Sequence, residues 1–290
     1  MISLRPSDPT KLDIFDAMDR QVGTTCDRVA CAAGLWGFTR AVLLNCVLIG
    51  YLLPHAADAG QAKLDHVVVV VRDLQGATQH FRHRGFTLKQ GRVHKNGLHN
   101  AFVEFSDGSE LELMSVVGNP TDPLARAYSE FLSSGDGGVY IALSGFDIQD
   151  ASNRLTADGI MHQVQPGALW DYLSFPVGSG RDHVFLIDTH DKNANTQTRT
   201  NHENGVSGVY EVWLESNGTV EEVLQSLQVT FHASEQRFAL SNAWLKLEKQ
   251  ANSEHRPRIL GVVFTSDDKC DNDKTVAYGL WMTSSDCQTR

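Results

Sequence analysis

His66 stands near the head of the apolar run Leu64-Asp65-His66-Val67-Val68-Val69-Val70-Val71, and further on Glu110 and Glu112 alternate with leucine in Glu110-Leu111-Glu112-Leu113. An imidazole nitrogen and a carboxylate oxygen are donors that suit Zn, Mn, Fe or Ni. A second carboxylate beside them can move a proton. Either chemistry requires the two runs to lie side by side with these groups on one face, and strand alternation supplies that arrangement. Successive side chains on a strand point to opposite sides, so His66, Val68 and Val70 share one face while Val67, Val69 and Val71 take the other. By the same rule Glu110 and Glu112 oppose Leu111 and Leu113. If the leucine face packs on a helix, the histidine and both carboxylates look away from it as half of a metal site.

The elements that must position these residues form a repeating pattern. Residues 66–71 read as a buried strand, Asp73 as a helix N-cap, and Leu74, Ala77 and Phe81 as the apolar stripe of a helix that stops at Gly85. Strand-like runs follow at 86–90, 98–105 and 109–116, the last two joined by Ser106-Asp107-Gly108. This is a β-α-β-β-β unit. A second copy starts near Gly138, with strand 139–143, Asp147 capping a helix that carries Ile148, Ala151 and Leu155, and strand-like runs at 160–165, 169–177 and 183–188. A third starts at Val206, with strand 209–214, the helix face Val220, Val223, Leu224 and Leu227, and strands through 238–240 and 244–248. Residues 258–265 open a fourth, degenerate copy. The repetition predicts an α+β fold of modules at about 64–117, 138–190 and 206–250, with 251–290 as a degenerate fourth module or a C-terminal extension.

The run Leu64-Asp65-His66-Val67-Val68 with Asp73-Leu74, then Gly97-Leu98-His99-Asn100-Ala101, Asp107-Gly108 and Glu110-Leu111-Glu112-Leu113, resembles the glyoxalase-like domain of the vicinal oxygen chelate superfamily. The resemblance continues through Val184-Phe185-Leu186-Ile187-Asp188 and Asn204-Gly205-Val206-Ser207-Gly208 and covers about residues 64–250. It implies paired modules that form concave, partly open sheets around a divalent metal, with helices on the outer face. His66 and Glu112 match the two ligands that a first module supplies, and Glu110 takes the place of a rim carboxylate able to move a proton. The implied activity is that of a metal-dependent lyase, isomerase or dioxygenase acting on a small oxygenated substrate.

The later modules depart from this pattern. Counting seven residues back from the helix caps Asp147 and Asn217 puts Tyr140 and Tyr210 where His66 stands in the first module. Lys246 falls at the position of Glu112 in the third module, and the second offers His183 or Asp188. His99 is one candidate for a third metal ligand, and His190 and His202, from the polar stretch between modules, are others. The alternative is a metal-free binding protein in which the Tyr140 and Tyr210 hydroxyls join His66 and Glu112 to hold an organic ligand by hydrogen bonds.

Composition narrows the partners. The 290 residues carry a net charge of −10, which argues against nucleic acid, because phosphate binding needs concentrated Lys and Arg. No P-loop, dinucleotide fingerprint or Gly-x-Ser-x-Gly occurs, so no nucleotide cofactor is expected. A small-molecule ligand fits better, and a homodimer is left open. Residues 1–63 differ from the rest. Arg40, the apolar run 41–53 and Ala57-Asp58-Ala59 have the layout of a signal peptide, which predicts an exported, periplasmic or secreted protein; the alternatives are an apolar anchor, with 41–53 as the one candidate for membrane contact, or a buried or interfacial helix of a cytoplasmic protein. Cys270 and Cys287 are then the remaining cysteine pair, able to form a disulfide in an oxidising compartment.

Overall fold

In the computed structural model, which describes residues 62–190, 200–249, 258–266 and 275–284, the repeat seen in the sequence becomes a repeat of strand pairing. The apolar run 41–53, Cys270 and Cys287 lie outside the described residues. The first unit consists of β1 (Lys63–Val70), α1 (Leu74–His83), β2 (Lys89–Val93), β3 (Leu98–Glu104) and β4 (Glu110–Val116). Helix α2 (Pro123–Ser133) leads to the second, β5 (Gly137–Ser144), α3 (Ile148–Ala157), β6 (Gln163–Pro166), β7 (Trp170–Ser174) and β8 (Val184–Thr189). The third comprises β9 (Val206–Ser216), α4 (Thr219–Ser226), β10 (Phe231–His232), β11 (Arg237–Ala239) and β12 (Trp244–Lys249). Strands β13 (Ile259–Ser266), β14 (Thr275–Ala277) and β15 (Leu280–Ser284) follow.

In every unit the first strand pairs in parallel with the last: β1 with β4, β5 with β8, β9 with β12 and β13 with β15. Units then join through antiparallel first strands, β1 with β5 and β9 with β13. The result is an α+β fold in two halves, β2-β3-β4-β1-β5-β8-β7-β6 and β10-β11-β12-β9-β13-β15-β14. Among the described residues one strand pairing, Ile259 with Gly138, joins them into a single sheet.

The apolar face of each half meets helices. Val67, Val69, Leu111 and Leu113 pack with Leu74, Ala77 and Phe81 of α1, while Val212, Leu214 and Leu245 pack with Val220, Val223 and Leu224 of α4, all in one buried cluster. Full burial of each large aliphatic side chain contributes about 1.5–3 kcal/mol, so this shared layer holds the halves together. Asp73 and Asp147 cap α1 and α3 by accepting the Gly76 and Asp150 amide protons. The helix of the third unit, α4, begins one residue later than expected. Its N-cap is Gly218 at φ +98°, a left-handed conformation that glycine adopts without steric cost, and the Asn217 side chain accepts from the Thr219 amide instead.

Helix α2 occupies a stretch for which the repeat provides no element. Asp122 accepts from the Ala125 amide and Pro123 opens the first turn, a combination that suits a helix start. Asn96 donates to Asp122 at 2.7 Å and fixes that cap. Ala125 and Tyr128 then pack on Val68, Val70, Leu98 and Met114, the face of the sheet opposite α1. That is the face carrying His66.

Candidate functional site

A register shift between Leu64 and His66 decides the local geometry of the site. In a regular strand Leu64 and His66 would share a face, yet Leu64 joins the helix-side core with Val67 while His66 faces the other way. The irregularity at Asp65 re-aims the side chains, as β-bulges commonly do. Asp65 Oδ1 thereby reaches His66 Nδ1 at 2.8 Å. The ionised carboxylate can only accept, so the Nδ1 proton is held there and Nε2 is the ring's other working atom.

His66 Nε2 is buried, makes no hydrogen bond and lies 3.7 Å from Glu112 Oε2. That distance is too long for a direct hydrogen bond. Asn100 Nδ2 donates to the other carboxylate oxygen, Glu112 Oε1, at 2.8 Å. Asn100 Oδ1 in turn accepts from the Arg92 amide, so the Glu112 side chain is fixed through the backbone of the neighbouring strand. Burial works against charge on His66, but the hydrogen bond it donates to Asp65 and the charges of Asp65, Glu112 and Glu110 outweigh it and raise the imidazole pKa. Burial also pushes the Glu112 carboxyl up, opposed by His66 and Asn100. Both groups are thereby shifted toward their protonated forms.

The rest of the wall is aromatic. Phe185 stands edge-on to His66 at 5.5 Å between centroids. Tyr140 contacts Phe185, Tyr128 and His183. Burial, then the neighbouring Tyr140 and the carboxylates of Glu112 and Asp122, lift the Tyr128 pKa well above the ordinary phenol value, so this ring stays neutral.

Cross-strand register locates the expected residues in the later modules. Val67 pairs with Leu111 in the first unit and Ile141 with Val184 in the second, which places Tyr140 at the His66 position and Phe185 at the Glu112 position. His183 heads β8 and binds the Val139 carbonyl, and Asp188 lies opposite Asp171. In the third unit Val212 pairs with Leu245. Lys246 accordingly sits at the Glu112 position, but the His66 position is taken by Glu211 and not by the expected Tyr210. Two features cause the difference: the helix cap is Gly218, and the pairing of β9 with β13 slips between Glu211 and Val209. Tyr210 belongs to the other half of the fold and does not join Tyr140, His66 and Glu112.

His99 also falls away as a third ligand. Strand β3 is in unbroken register with β4, and the neighbours that share its side, Ala101 and Val103, enter the α1-side core. Alternation puts His99 on that side and Asn100 on the side of Glu112. His190 pairs with Asp171 at 3.1 Å. His202 is held between Phe86 and Phe105 and accepts from the Thr87 amide. Asp65, Asn100, Tyr128 and Phe185 had no role in the sequence-based site.

With this geometry in place, the family described as Glyoxalase-like domain matches residues 64–230. The chain belongs to that family. Among solved structures, a hypothetical protein from Staphylococcus aureus shares the fold of this glyoxalase-like protein at a TM-score of 0.58 and 15% identity, over 77% of this chain and 98% of that one. A xylose isomerase-like TIM barrel/4-hydroxyphenylpyruvate dioxygenase fusion protein is similar at a TM-score of 0.48 and 14% identity, over 72% of this chain and 37% of that one. No curated protein matches the chain.

The resemblance implies a divalent metal, and the donor set tests whether one fits. His66 and Glu112 supply two donors, but at the matching positions of the second module Tyr140 and Phe185 replace the partners. Among the described residues no group of three or more His, Cys, Asp or Glu side chains is placed to hold a metal ion. Catalytic and structural centres take about three or four protein ligands, so the described residues of this glyoxalase-like protein do not fit a resident metal.

Proposed function

We propose that this glyoxalase-like protein binds a small oxygenated molecule at His66 and Glu112 by hydrogen bonding and proton exchange, without a resident metal. One observation carries the reading: a buried imidazole nitrogen with no hydrogen bond faces a buried carboxylate across 3.7 Å, while Asp65 holds the opposite ring nitrogen. An unsatisfied buried polar atom costs about 1–3 kcal/mol, and a ligand hydroxyl in contact with both Nε2 and Oε2 removes that penalty. Tyr140 and Phe185 then form apolar walls that orient the ligand, in the mixed lining that small-molecule sites use. Glu110, half-buried on the same face and opposite His66 in register, is placed to exchange the proton with solvent.

The test is a titration of the protein with catechol, glycolate and dihydroxyacetone, read on the His66 ring resonances. At least one fragment shifts those resonances saturably in the wild type and fails to do so in Glu112→Gln. Absence of any shift with all three, or equal shifts in Glu112→Gln, overturns the proposal.

A further inference from the structure

The second half of the fold carries, at the same register positions, side chains of a different kind. One row across the strands reads Arg237, Lys246, Trp213, Gly261, Trp281. Its neighbour Glu211 is buried, accepts from the Trp213 indole N–H and pairs with Arg237 at 3.1 Å. All of these lie on the face away from α4, because Val212, Leu214, Leu245 and Val262 occupy the helix side.

Glycine at 261 shapes this face. A Cβ there would stand 2.2 Å from both Cδ2 and Cε2 of Trp281, the two atoms at the fusion of the indole rings. The indole therefore lies face-down on the strand, where any other residue would displace it. Trp213 stands beside it at 4.8 Å between centroids and 82° between planes, with the Lys246 ammonium 3.6 Å from the centre of its ring. Trp281 is a floor and Trp213 a wall, both partly exposed.

The charges around this corner limit what it accepts. Arg237 is paired with Glu211 and Glu235, and Lys246 with Glu248 at 3.0 Å, so carboxylates outnumber cations and an added anion is disfavoured. A cationic ligand is disfavoured as well, because the chain's own Lys246 and Arg237 already sit over the Trp213 and Trp244 rings. An uncharged ring with one apolar face and a hydroxyl-bearing edge meets both limits: its C–H face stacks on the floor, and its hydroxyls meet the paired donors and acceptors at the rim.

We propose that this corner is a second ligand site, one that takes a neutral saccharide ring stacked on Trp281 against Trp213. It is separate from the His66–Glu112 site, being built on β9, β12, β13 and β15.

The experiment titrates the protein with the methyl glycosides of glucose, galactose, mannose and xylose, followed by tryptophan fluorescence and ligand-observed NMR. At least one binds with a dissociation constant of about 10 mM or tighter. Trp281→Ala weakens that binding by about tenfold or more, Trp281→Phe retains most of it, and His66→Ala leaves it unchanged. Circular dichroism confirms that each variant is folded. No binding of any glycoside to the folded wild type, or undiminished binding to folded Trp281→Ala, overturns the proposal. So does loss of binding in His66→Ala.

Discussion

Replacing Asp65 by Asn tests the arrangement around His66 with little change of shape. The amide can still reach Nδ1, so the 2.8 Å contact survives while its charge is lost. A hydrogen bond to a charged group contributes about 1.5–3 kcal/mol, which at 1.36 kcal/mol per pKa unit corresponds to about 1–2 units. Asp65 is partly exposed, with 27% of its side chain accessible, so screening favours the lower end. The His66 pKa should therefore fall by about one unit in Asp65→Asn, read from imidazole 15N shifts against pH. Stability follows the same linkage. A folded-state pKa raised above the unfolded value, as for His66, contributes stability that is complete below the unfolded pKa and is lost as pH rises through the folded one. The wild type should exceed Asp65→Asn in urea stability most between the carboxylate range and about pH 6.5, where Asp65 is ionised and the unfolded imidazole is protonated, with the gap closing as pH rises through the folded His66 pKa. An unchanged or higher His66 pKa in Asp65→Asn refutes the reasoning.

Other substitutions probe the surrounding shell and core. Asn100→Ala leaves a buried Glu112 oxygen without its donor and should cost about 1–3 kcal/mol in urea unfolding, whereas His99→Ala, on the other face, should leave the His66 and Glu112 titrations unchanged. Burial lowers the His202 pKa, against a weaker pull from the Glu104 backbone. The unfolded chain therefore binds the extra proton first, and stability is lost as pH falls from about 6.5 toward the folded value. His202→Asn keeps an acceptor for the Thr87 amide and should flatten that part of the curve, measured by urea midpoints at several pH values. Leu113→Ala, in the layer against α1, should cost about 2–5 kcal/mol by the same assay.

Alternation and capping made much of the first unit legible. The valine and leucine runs show which side of the strands carries His66 and Glu112, because period 2 leaves no other way to bury Val67, Val69, Leu111 and Leu113 together. Asp73 and Asp147 announce their helices by the usual N-cap chemistry. The irregularity at Asp65 has no such signature. It depends on the pairing of β1 with β5, a tertiary partner no local pattern reveals. A one-residue error at the α4 cap, combined with the slip at Tyr210, was enough to point to Tyr210 where Glu211 stands. The placement of His99 was recoverable in principle, since Ala101 and Val103 mark the core side of β3. Helix α2 likewise had a start signal in Asp122-Pro123 and an apolar face in Leu124, Tyr128 and Phe131.

The central claim is that His66 and Glu112 act together without a resident metal, and elemental analysis of the full-length protein tests it most directly. Wild type and His66→Ala are each incubated with Zn²⁺ and Mn²⁺, exchanged into metal-free buffer and measured. The account predicts well below one metal per chain in both, with the same small content in each. About one metal per chain in the wild type, lost in His66→Ala, would contradict it.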